Sequence, residues 1–89
     1  MSDAKTTTDH NMIRKWAEER GARPATVEGT GRNGGPGVLR FDFDPKDERL
    51  NALSWMDFFG KFEQEKLALL YQDKTAAGSV SRFHKFVQR

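Results

Sequence analysis

The sequence has no cysteine. No disulfide can brace it, and no thiolate zinc site can form in it. Such a composition suits a reducing compartment. The chain also lacks any apolar run approaching the roughly 20 residues of a membrane-spanning helix. Its N-terminus, "MSDAKTTTDHN", is polar and has no apolar stretch of the kind a signal peptide needs. We therefore read a soluble, cytoplasmic chain and expect no membrane partner. Residues 74–89 contain no Asp or Glu at all.

The charges that are present divide the chain unevenly. Residues 1–40 hold seven basic and five acidic side chains, residues 41–73 four and eight, and residues 74–89 four and none. A basic tail after an acidic middle suits two arrangements. The tail can contact a polyanion, or it can lie beside the acidic segment and neutralise it.

Eighty-nine residues correspond to one domain with a modest core. Seven Phe, two Trp and one Tyr supply that core, because each aromatic side chain buries a large area. Residues 1–7 are expected to be disordered, and 8–89 to form a single α+β domain.

The first helix is predicted from about Asp9 to Arg20. Thr8 or Asp9 can cap it, and Ile13, Trp16, Ala17 and Arg20 recur at helical spacing. Gly21 and Pro24 end it. "PATVEGT" reads as a short strand and "GTGRNGGPG" as a loop. "VLRFDFD" alternates cleanly, with Leu39, Phe41 and Phe43 on one face and Arg40, Asp42 and Asp44 on the other. "PKDERLNAL" reads as a polar connection with room for a helical turn.

In "LSWMDFFGKFEQEK", Ser54 and Asp57 are spaced as a capping box, and Leu53 and Phe58 as a hydrophobic staple. Trp55, Phe58, Phe59 and Phe62 follow at spacings of three and four, so a second helix is predicted from Trp55 to about Glu65. The run "LALLYQ" fits a strand at the centre of a sheet. "SRFHKFVQR" is compatible with helix or strand, and we take it as a strand in a hairpin with "LALLYQ". The order is then α-β-β-α-β-β. The expected fold is two helices packed on one small, mainly antiparallel sheet of three or four strands.

Motifs for chemistry are weak. Gly29-Thr30-Gly31-Arg32-Asn33-Gly34 matches G-x-G-x-x-G, but a strand follows it where a dinucleotide site needs a helix. Asp42, Asp44, Asp47 and Glu48 form an acidic cluster without the spacing of a calcium loop. It reads as a solvated strand edge. His10 and His84 have no recognisable catalytic partner. No catalytic residue, cofactor or metal ligand is expected.

Two resemblances bear on function. "IRKWAEERG" resembles the "IRxWA" start of the DNA-binding domain in actinobacterial nucleoid-bridging silencers. That resemblance implies phosphate contact by Arg14, Lys15, Arg20, Arg23 and Arg32, and Arg82 and Lys85 would extend the surface from the basic tail. The silencers' Arg-Gly-Arg segment has no counterpart in "GARP" or "TGRNG".

Over nearly the whole chain, "TTDHNMIRKWAEERGARPATVEGTG", "GVLRFDF", "LSWMDFFGKFEQEKLALLYQ" and "SRFHKFV" resemble a family of small bacterial proteins of similar length. Its members often carry the label "1,4-alpha-glucan branching enzyme". The resemblance implies one intact domain and supplies no catalytic residue. A branching enzyme presents its carboxylates on a barrel of about 250 residues, which this chain cannot contain. The expected function is a small binding or regulatory module for a protein partner, with Trp55 as the contact. Weak nucleic-acid binding and an accessory role in glucan metabolism are the alternatives.

Overall fold

A computed structural model describes residues 4–31 and 37–89. Eight elements follow one another: β1 (Lys5–Thr7), α1 (His10–Glu19), β2 (Arg23–Val27), β3 (Leu39–Asp42), β4 (Leu50–Ala52), α2 (Trp55–Gln64), β5 (Leu67–Tyr71) and β6 (His84–Gln88). The α+β class is as expected. The strands form two three-stranded antiparallel sheets, ordered β1-β5-β6 and β3-β2-β4, where one sheet was expected.

Two strands were not foreseen. Lys5–Thr7, expected to be disordered, pair with Leu69–Tyr71 as an edge strand. Residues 1–3 lie outside the described residues, as does Arg32. Leu50–Ala52, read as polar connection, pair with Ala25–Val27. Both segments are three residues long and carry no alternation strong enough to announce a strand. Their partners β5 and β2 carry the apolar pattern, and each gains a second neighbour. "LALLY" does occupy the sheet centre, and β6 does close a hairpin with it, Leu67 opposite Gln88 and Tyr71 opposite His84.

Local chemistry sets the helix ends. The Asp9 side chain accepts from the Met12 N–H at 3.2 Å, and Ser54 Oγ from the Asp57 N–H at 3.0 Å. After α1 the Ala22 N–H donates to the Ala17 carbonyl and the Gly21 N–H to Glu18. This is the Schellman arrangement, which needs a left-handed residue at Gly21, where φ is +68°. At α2 the equivalent position is Lys66, with φ +52°.

The core lies between the helices and the two sheets. Ile13, Phe58, Phe62 and Leu69 are its fully buried side chains, with Trp16, Leu39, Phe41 and Tyr71 around them. Phe41 is its hub. Its ring lies 5.4 Å from Phe58, 5.8 Å from Trp16, 5.1 Å from His84 and 5.3 Å from Phe86. A residue of one sheet thereby touches both helices and the last strand of the other sheet.

The acidic cluster differs from its expected place on a solvated edge. Asp42 is only 5% exposed, and its Oδ1 accepts from the Asp47 N–H at 3.1 Å. Asp44 meets Arg23 at 3.1 Å, and Asp47 meets Arg49 at 3.0 Å. These carboxylates hold the β3–β4 connection, because each has a donor within its own turn or on β2.

The core and the cap contribute on different scales. Phe58→Ala is expected to cost about 3–5 kcal/mol, a cavity-forming loss. Ser54→Ala should cost about 1 kcal/mol, the usual value of a cap. Urea unfolding of the two variants against the parent checks both figures.

Candidate functional site

Six of the seven basic candidates are among the described residues, and they stand in different settings. Arg20 is the clearest departure. Its side chain is 4% exposed, and its guanidinium donates to the carbonyls of Ser81, Trp16 and Asp73. It also stacks over the Trp16 ring at 4.3 Å. Burial lowers its pKa, with Glu19 and Asp73 acting in the opposite direction. Arg20 is thus an internal clamp that ties the Trp16 carbonyl of α1 to the Ser81 and Asp73 carbonyls of the β5–β6 connection. It is not displayed to a polyanion.

Arg14 is exposed and pairs with Glu18 at 3.2 Å, one helical turn on. Arg23 pairs with Asp44. Lys15 is exposed on α1. Arg82 lies over the Phe43 ring at 5.2 Å. Lys85 is exposed on β6, beside Arg40 and His84. The basic tail is therefore split. Arg89 reaches acidic Glu63, whereas Arg82 and Lys85 meet no carboxylate among the described residues.

Trp55 is half-buried at the start of α2, against the edge of the core. Residues four apart on a helix share a stripe. Phe58 and Phe62 form the core stripe of α2, and Trp55, Phe59 and Glu63 form the adjacent one. On that second stripe Trp55 stacks on Phe59 at 5.4 Å and 21°, and Phe59 stacks on His10 of α1 at 4.1 Å and 6°. Arg14 sits 6.0 Å above the Trp55 ring. His10 with Phe59 at one end and Arg14 with Trp55 at the other set the two helices antiparallel.

The result is an open groove of about 470 Å³ lined by His10, Asn11, Arg14, Trp55, Met56, Phe59, Gly60 and Glu63. Met56 on its rim is 83% exposed. At its far end His10 Nε2–H donates to Glu63 Oε2 at 2.8 Å, and Glu63 also accepts from Arg89. The Arg89 guanidinium, and after it His10, hold the Glu63 carboxyl below its ordinary pKa.

Sequence reasoning named Trp55, placed Phe59 on the core face, where it does pack, and gave His10 no partner. The missed signal was the four-residue spacing of Trp55, Phe59 and Glu63, which separates them from Phe58 and Phe62. Trp16, the other tryptophan, is 3% exposed and donates its Nε1–H to the Gln72 carbonyl at 3.2 Å.

His84 is enclosed by rings. Trp16, Phe41, Phe43 and Phe86 surround it at 5.1–5.9 Å. Its Nδ1–H donates to the Arg82 carbonyl at 2.9 Å. Burial lowers its pKa first, and Arg40 adds to the effect, against the Arg82 carbonyl. Among the described residues no three His, Asp or Glu side chains gather as a metal site requires.

No protein-family model, curated protein or solved structure matches this chain. A functional reading of the molecule therefore rests on its own geometry.

His84 gives the fold a pH dependence of definite sign. Its folded-state pKa lies below the ordinary value of about 6.5, so the unfolded chain takes up the proton first. Its stabilising contribution is present above about pH 6.5 and is lost as the pH falls through the folded value. The midpoint of thermal unfolding should therefore drop between pH 7.5 and pH 5.5, and drop less in His84→Phe. A parent protein that drops no more than the variant would contradict the assignment.

Proposed function

We propose that this chain is a small binding module that holds a protein partner in the α1–α2 groove and performs no chemistry of its own. The observation that carries the reading is the Trp55–Phe59–His10 stack with Met56 exposed beside it. Large apolar side chains on a surface cost solvation, and a contiguous set of them rimmed by charge is how contact surfaces are built. Tryptophan anchors such contacts. An unbranched methionine adapts its shape to the partner. A cytoplasmic setting belongs to the same reading, on the strength of the cysteine-free composition.

The groove is less suited to the other two readings. A sugar stacks on a free aromatic face, as an accessory role in glucan metabolism would require. Phe59 lies against the Trp55 ring, and Arg14 stands above it. Nucleic acid needs several unpaired cations along one surface. Arg14 and Arg23 already face carboxylates, and Arg20 is internal.

The test is photo-crosslinking inside the source cells with a photoreactive residue at position 11, on the groove, or at position 48, on the β3–β4 connection. One discrete protein adduct is expected from position 11 alone. Met56→Glu, at a site too exposed to disturb the fold, should abolish it. Equal adducts from both positions, or an adduct indifferent to Met56→Glu, would contradict the proposal. So would amide shifts around the groove on adding duplex DNA or a soluble glucan to the isolated protein.

A further inference from the structure

The two sheets stop facing each other across an unpaired gap. Among the described residues β3 pairs only with β2, and β6 only with β5. In an antiparallel ladder, alternate residues turn both their N–H and C=O away from the partner strand. The Val27 N–H donates to the Val38 carbonyl, so Val38, Arg40 and Asp42 face β2 while Leu39 and Phe41 face outward. Likewise the Gln72 N–H donates to the Phe83 carbonyl and the Arg89 N–H to Lys66. Lys85 and Val87 therefore face β5, and His84, Phe86 and Gln88 face outward. The outward side of β3 is open to side-chain donors: the Arg40 guanidinium donates to the Leu39 carbonyl at 2.8 Å.

The outward edges border one groove. Leu39, Arg40, Phe86 and Gln88 line a cavity of about 240 Å³, and Arg40, His84, Lys85 and Phe86 line its continuation. Phe86 lines both, and its ring lies 5.3 Å from Phe41 in the core. The contacts Phe41–Phe86 and Phe43–His84 show that β3 and β6 run antiparallel along it.

An unpaired strand edge is a template for another strand, and proteins usually blunt such edges. Here each of the two carries a cation. Arg40 and Lys85 meet no carboxylate among the described residues. Lys61 and Glu65 at one end of the groove pair with each other at 3.5 Å and cancel. The groove therefore offers backbone donors and acceptors on both sides and a net positive rim.

We propose that the gap between β3 and β6 binds an extended acidic peptide segment by strand addition, joining the two sheets through the added strand. Backbone hydrogen bonds to Leu39, Phe41, Phe86 and Gln88 would hold the segment, and its carboxylates would meet Arg40 and Lys85. Like charges repel a second copy of the basic edge, so self-pairing is the disfavoured occupant. This site lies along β3 and β6 and meets α2 only at Lys61 and Glu65, away from the α1–α2 groove of Trp55, and neither proposal depends on the other.

The test uses the full chain and three fluorescent peptides: one alternating Val and Glu, one in which Lys replaces each Glu, and one Val–Glu peptide N-methylated at alternate residues. The Val–Glu peptide is expected to bind, shifting the amides of Leu39, Phe41, Phe86 and Gln88. N-methylation, which removes backbone donors and leaves the charge, should weaken it at least tenfold. Lys85→Glu, at an exposed position, should weaken the Val–Glu peptide and strengthen the Val–Lys one. Added salt should reduce the charge preference.

Several results would overturn the proposal. They are equal binding of the N-methylated peptide, no binding at millimolar peptide, and shifts confined to the Trp55 groove. Concentration-dependent self-association through β3 and β6, or stronger shifts of Arg40 and Lys85 by duplex DNA, would assign the edge to a different occupant.

Discussion

The structure depends on the ring contacts of Phe41. Among the described residues the two sheets share no backbone ladder, so no hydrogen-bonded strand pair carries one into the other. Phe41 on β3 meets Phe86 and His84 on β6, Phe58 on α2 and Trp16 on α1. Offset and edge-to-face aromatic pairs each add about 0.5–1.5 kcal/mol beyond the area they bury. In a domain this small, a cluster of them is a large part of what is available.

That mode of joining explains both surfaces. Side chains hold the sheets together from beneath, so the backbone edges above them stay open. The helices lie over the same ring cluster, and their outer stripe is left with rings it cannot bury. Trp55 meets Phe41 and Phe58 edge to face and stacks on Phe59. The contact surface proposed above is built directly on core residues, and such rigidity lowers the entropy lost on binding.

Strong local signals carried most of the fold into the sequence. The helices were legible from Asp9, Ser54 and Gly21 and from the spacing of Ile13, Trp16, Phe58 and Phe62. β3 and β5 were legible from alternation and from a continuous apolar run. β1 and β4 were not, because three polar or mixed residues acquire strand structure only from the neighbour they pair with. The division into two sheets was hidden for a related reason: it is set by which edges meet, and no residue encodes that alone. Arg20 misled because its exposure depends on carbonyls contributed more than fifty positions away. The half-buried place of Trp55 was legible because a first-turn position lies at the border of the core.

The central claim is that β3 and β6 are joined by side chains and not by a backbone ladder. Amide hydrogen exchange with residue resolution tests it most directly. Leu39 and Phe41 are then predicted to exchange faster than Arg40 and Asp42, and Phe86 and Gln88 faster than Lys85 and Val87. Equal protection of neighbouring amides along both strands, with cross-strand backbone contacts between β3 and β6 in the same spectra, would contradict it.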